Sequence, residues 1–166
     1  MSTSGNISST SQLIANLKAE IESFAAFCDI LKTEQEVLNN NEIDQLLSIS
    51  KLKSEKVVLL SQLAEIRNRF LAGQNLLPDQ NGMEILIKMG KLPDPNGEIP
   101  RFWGKLIELA KKAQHLNEVN GIMIETKLGH NQQALSALQS AANQATLYGP
   151  DGKTHSAGTG RPLGKG

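Results

Sequence analysis

The chain has 166 residues, of which 39% are apolar but only 4% aromatic, and its 17 basic residues balance its 17 acidic ones. That length fits one domain, and the charge balance gives no general attraction for nucleic acid or for a basic partner. The lone cysteine, Cys28, excludes an internal disulfide and makes a reducing compartment the default.

Residues 1–9 read as a flexible N-terminus. The opening MSTSGNISSTS has neither the charged n-region nor the apolar h-region of a signal peptide. No apolar run approaches the ~18 residues that span a bilayer, so a cytoplasmic protein without stable membrane insertion is expected.

The first helical pattern covers about 10–38. Ile14, Leu17, Ile21, Phe24, Cys28, Leu31 and Leu38 follow steps of three and four, the seam of a helix packed along another helix. Ser9, Thr10 or Ser11 is placed to cap it. Asn39-Asn40-Asn41 then interrupts the pattern, because asparagine favours caps and turns over helix interiors. The second pattern covers about 42–72 and carries Leu46, Ile49, Leu52, Val57, Leu60, Leu63, Ile66 and Phe70 near one stripe. Residues 10–46 hold seven acids and two bases, whereas 47–73 hold five bases and two acids. The asparagines allow a bend in one rod or an antiparallel turn. The turn is preferred, since it lays the acidic helix on the basic one.

Residues 73–100 form a connector broken by glycines and prolines, with room for one short helix at 83–89. Asn96-Gly97 would signal a hairpin only between strands, and none flank it. The last pattern covers about 101–147. It opens on Trp103, Leu106, Ala110 and Ala113, meets Asn117 and Asn120 on the same stripe, and resumes at Ile124, Leu128, Leu135, Leu138, Ala142 and Ala145. Gly121 lies inside this helix at a cost of about 1 kcal/mol relative to alanine. Gly149-Pro150 ends it, and 149–166 read as a flexible tail. The expected fold is all-α: about three long antiparallel helices plus one short one, forming a coiled-coil-like bundle over 10–148.

Chemistry finds little purchase. His115, His130 and His155 are far apart, and no zinc, di-iron or phosphate-loop spacing is present. No catalytic residues, metal or cofactor are expected, and the chain does not read as an enzyme. Cys28 at a seam position reads as a small buried hydrophobe, and Trp103 as a packing anchor. Asn117 and Asn120 either fix helix register or face solvent on a kinked helix. The segment Leu128–Tyr148 is the strongest binding candidate. Its stripe of Leu128, Leu135, Leu138, Ala142 and Ala145 is flanked by amides and hydroxyls, and no Asp, Glu, Lys or Arg occurs from Gly129 to Pro150. Such a surface suits docking of another helix. The other reading is that it only ends the bundle.

Trp103, then LNEVNGIMIE (Leu116–Glu125), then LYGPDGK (Leu147–Lys153), with KSEKVVLLSQL (Lys53–Leu63) earlier, resemble the FlgN family of flagellar export chaperones. The resemblance covers roughly residues 12–153. It implies a cytoplasmic helical protein that binds the C-terminal segments of hook–filament junction proteins (FlgK/FlgL-like), prevents their premature association and brings them to the flagellar type III export gate (FlhA-like). It also suggests that Tyr148, followed by Gly149 and Pro150, docks on that gate. The alternative is a coiled-coil scaffold that self-associates through the same seams.

Overall fold

The computed structural model describes the backbone of residues 3–147 and the side chains of residues 7–142. Four α-helices account for nearly all of it: α1 (Thr3–Asn40), α2 (Leu46–Gly73), α3 (Gln80–Met89) and α4 (Glu98–Leu147). A 3-10 turn, Ile43–Gln45, joins α1 to α2, and no strand occurs among the described residues. The chain divides into two compact units, one ending at Met123 and the other beginning at Ile124.

The first unit is an up-down-up bundle. Asn16 and Glu20 of α1 face Leu63 and Arg67 of α2, and Glu34 faces Lys53, so α2 runs antiparallel to α1. Lys18 meets Glu98, Cys28 meets the Leu109 carbonyl, and Leu31 meets Asn120, so α4 runs parallel to α1. Leu13, Leu17, Leu71, Met83, Leu86, Ile99, Trp103 and Leu106 form one buried cluster. Cys28, Leu31, Leu109 and Ala113 form a second, further along α1. Burying each such leucine stabilises the fold by roughly 1.5–3 kcal/mol.

The α1 seam is buried or half-buried throughout, and Cys28 sits in it as a small hydrophobe. Its beginning differs from expectation. The helix runs back to Thr3 without stopping at Ser9–Ser11, and Thr10 is itself buried. The α2 stripe is also corrected. Ile49, Leu60 and Leu71 are buried, but Leu52, Val57 and Ile66 are about half exposed. A stripe that wide needs more neighbours than α1 and α4 supply, so its two flanks stay open.

Asparagine stops both of the first two long helices. Asn41 takes a left-handed φ of 58°, its N–H donates to the Leu38 carbonyl at 3.3 Å, and the Glu42 N–H donates to the Val37 carbonyl at 3.0 Å. Asn75 repeats the arrangement at the end of α2, with Leu76 donating to Leu71 at 3.0 Å. These paired bonds satisfy carbonyls that the helix end leaves without partners. The asparagines therefore make the antiparallel turn that the sequence favoured over a bent rod.

Two aspartates start the next two helices early. Asp79 accepts the Gly82 N–H at 2.8 Å and starts α3 at Gln80. Asp94 accepts the N–H groups of Glu98 and Ile99, both at 2.9 Å, and starts α4 at Glu98. Pro100 is tolerated inside that first turn because the amides there have no acceptor within the helix. Gly82 is required by space: a Cβ added there would lie 1.9 Å from the Leu77 carbonyl oxygen. Gly82→Ala is expected to destabilise the protein by about 1–3 kcal/mol, the usual range for overpacking. Thermal unfolding checks this, and an unchanged midpoint would mean that the Leu77 loop yields freely.

Candidate functional site

Two buried polar layers hold the first unit in register. In one, Glu34 is nearly sealed from water between α1, α2 and α4. Lys53 Nζ donates to both Glu34 carboxylate oxygens at 3.0 and 2.9 Å, and to Asn117 Oδ1 at 3.1 Å. Asn120 Nδ2 donates to Glu34 Oε2 at 2.8 Å and to the Leu31 carbonyl at 2.7 Å. One carboxylate thus fixes all three helices. A buried ion pair adds little net stability but penalises any register that separates it.

The second layer lies nearer the α2–α3 end. Glu20, 1% exposed, pairs with Arg67 and accepts from Asn16 Nδ2 at 2.9 Å. The Arg67 guanidinium stacks over the Trp103 ring at 5.2 Å from its centroid, favourable for a cation against a π face. Trp103 therefore packs the core and also holds a charge. Burial pushes the Glu20 carboxyl above its ordinary value of 4.5, while the Arg67 charge and the hydrogen bonds from Arg67 and Asn16 pull it back. A carboxyl raised in this way binds its proton more tightly folded than unfolded. Its stabilising share is complete below the ordinary value and is lost as pH rises through the raised one. The melting temperature of the native chain should therefore fall, relative to that of Glu20→Gln, as pH rises from 4.5 toward neutrality. Parallel melting curves for the two proteins would contradict this.

Above Glu20, between α2 and α4, lies an apolar groove of about 410 Å³ floored by Phe24 and Phe27, with walls that include Val57, Leu60, Ala64, Leu106, Ile107 and Ala110. Periodicity does not reveal this groove, because it depends on how far α2 and α4 stand apart.

The second unit contains α4 from Ile124 onward, and here the helix surface is open. Leu128, Leu135 and Leu138 are 56%, 57% and 68% exposed, and Ala142 is exposed beside them. The side chain of Ala145 lies outside those described, as do Tyr148, Gly149 and Pro150 entirely. Ile124, 41% exposed, shares the stripe and belongs with these leucines. Every residue from His130 to Ala142 is exposed, and none carries a permanent charge. This is a bare apolar stripe with amide and hydroxyl margins, chemically able to take an amphipathic helix.

The remaining sequence candidates sit in the first unit. Asn120 is buried and Asn117 is exposed but bonded to Lys53, so each joins the Glu34 layer. An added Cβ at Gly121 would meet nothing within 4 Å, so packing does not require glycine there. Glu34, Lys53, Glu20 and Arg67 do not stand out in the sequence. The only signal for them is the opposite charge of the first two helices. Among the described residues, no group of three or more His, Cys, Asp or Glu side chains is placed to hold a metal, and no helix is long and apolar enough to cross a membrane.

Comparison with known proteins identifies a family. The family model described as FlgN protein matches residues 1–156. The flagella synthesis protein FlgN of Yersinia enterocolitica is 26% identical over 154 residues, covering 92% of this chain and 97% of that protein. The Proteus mirabilis FlgN is 27% identical over 145 residues, covering 86% and 89%. The Salmonella typhimurium FlgN is 29% identical over 110 residues, covering 66% and 73%. No solved structure gives a significant match. With nearly the whole chain covered by the family and an all-helical bundle to carry it, the protein belongs to the FlgN family of flagella synthesis proteins.

Proposed function

We propose that the protein is a cytoplasmic flagellar export chaperone that holds the C-terminal segments of hook–filament junction proteins (FlgK/FlgL-like) on α4, centred on Leu128, Leu135 and Leu138 with Ala142 and Ala145 beside them. The observation that carries this reading is the exposed apolar stripe beyond Met123, which is charge-free from Gly129 onward. Amphipathic terminal helices of an assembling protein would self-associate if left free, and a stripe of this kind covers them. Ordering such a segment costs about 2–5 kcal/mol of the gross interaction, which keeps the complex reversible. Purified junction proteins should be captured by the full-length chain, and the same proteins without their C-terminal segments should not. Equal capture of both would overturn the reading.

Delivery to the export gate (FlhA-like) is assigned to Tyr148, which precedes Gly149-Pro150 in the sequence. A tyrosine offers apolar area and a hydroxyl with few rotors, which suits an anchor. Tyr148→Ala is expected to retain client capture but to reduce secretion of junction proteins by about tenfold or more, the scale of a hot-spot residue. Normal secretion would remove Tyr148 from gate docking.

A further inference from the structure

Exposure does not explain the composition of the α4 stripe. Nine charged residues lie between Glu98 and Leu128, and none between Gly129 and Leu147. An exposed helix is ordinarily rich in charge, whereas depletion of charge marks the centre of a protein interface. The spacing is equally specific. Ile124, Asn131 and Leu138 fall seven residues apart, and Leu128, Leu135 and Ala142 each follow four residues later. These are the two seam positions of three heptads, with an asparagine at the central position of the first series. The positions flanking the seam hold Glu125, Gln132 and Gln139 on one side and Lys127, Ala134 and Ala141 on the other. In coiled coils, charges at such flanks choose the partner and its orientation. From Leu128 onward this seam carries no permanent charges there, Glu125 and Lys127 flanking only its first turn.

We infer that the occupant of this seam is an amphipathic helix of another protein, with uncharged flanks where it faces Leu128–Ala142 and one amide side chain in its own seam, selected by Asn131. The inference rests on the chaperone reading. A charged flank on the partner would be desolvated against Gln132 or Gln139 without a counter-charge, which disfavours it whichever its sign. Opposite leucine, the Asn131 amide would be buried unpaired, whereas opposite asparagine or glutamine it gains a hydrogen bond. A second copy of this chain fits less well. In a parallel, in-register pair Ala142 would meet Ala142 and leave a void, whereas a foreign helix can fill that place with a large apolar side chain.

The test uses the full-length chain and synthetic three-heptad peptides with leucine seams, each at concentrations where it is monomeric. One pair has glutamine and serine flanks and differs only in asparagine or leucine at the central seam position. Two further peptides carry the asparagine with all-glutamate or all-lysine flanks. The asparagine peptide should bind roughly three- to tenfold more tightly than the leucine peptide, the worth of one interfacial hydrogen bond. Asn131→Leu should reverse that order, and it leaves the fold intact because Asn131 is exposed. Affinity should change less than about twofold between ~50 and ~500 mM NaCl, and both charged-flank peptides should bind more weakly. An unchanged order in Asn131→Leu overturns the inference. So does tighter binding of either charged-flank peptide, binding of no peptide, or a native dimer that Asn131→Leu dissociates. If the peptides obey this rule but junction proteins are not captured, the chaperone reading fails and the seam rule stands. If junction proteins are captured and the peptides ignore Asn131, the reverse holds.

Discussion

Leu135→Asp combined with Leu138→Asp is expected to weaken capture of junction proteins by about 100-fold or more while leaving the fold intact. Both leucines are more than half exposed in the free protein, so replacing them removes no core packing. Surface changes of this kind shift stability by no more than about 0.5 kcal/mol each. On binding, however, each aspartate would have to enter an apolar interface in which α4 offers no cation from Gly129 onward. Desolvation at roughly 2 kcal/mol or more per site accumulates to two or more orders of magnitude in Kd. Titration calorimetry gives the loss, and a melting curve gives the fold. Undiminished binding would remove these leucines from the interface. A collapsed melting temperature would mean that they are packed in solution.

Lys53→Met carries the largest stability effect. Lys53 is the counter-ion of Glu34, whose side chain is only 6% exposed, at 2.9 Å. Removing one partner of a buried pair leaves an uncompensated charge and costs about 3–5 kcal/mol. For a chain of this size that lowers the melting temperature by roughly 6–20 °C. The control is Lys105→Met, whose partner Glu108 is 68% exposed at 3.2 Å and which should cost under about 1 kcal/mol. Adding Glu34→Gln to Lys53→Met should recover part of the loss, because the stranded charge is then gone. A Lys53→Met effect as small as the control would show that water reaches Glu34.

The helices were legible because periodicity reports a buried face. The three-four spacing of Ile14 to Leu38 is an α1 seam, and the helix ends where Asn39–Asn41 break it. What periodicity cannot report is how many neighbours a helix has. Leu52 and Ile66 match the α2 stripe as well as Leu60 does, but only Leu60 meets a partner. Starts were less legible than stops. An aspartate cap depends on the loop bringing its carboxylate onto free amides, as Asp94 does for Glu98 and Ile99, and spacing alone does not encode that loop. The charge contrast between α1 and α2 was visible in bulk. The pairs Glu20–Arg67 and Glu34–Lys53 follow from helix rotation and register, which only packing sets. Asn117 and Asn120 stand out as polar residues on an apolar stripe, but the carboxylate that accepts from Asn120 lies 86 residues away in sequence, and Asn117 accepts from Lys53, 64 residues away. At the candidate interface, the absence of charge could be read directly and the exposure could not.

Where a client sits is the decisive question, and hydrogen exchange answers it directly, using the full-length chain with and without the purified C-terminal segment of a junction protein. Free, the amides from Ile124 to Ala142 should exchange readily, since this stretch of α4 is nearly all exposed. With the segment bound, they should slow by about tenfold or more, while those around Val57 and Ala64 in the α2–α4 groove stay unchanged. Slowing confined to the groove walls near Val57, Ala64 and Ile107, with none between Ile124 and Ala142, would contradict the α4 seam as the client site.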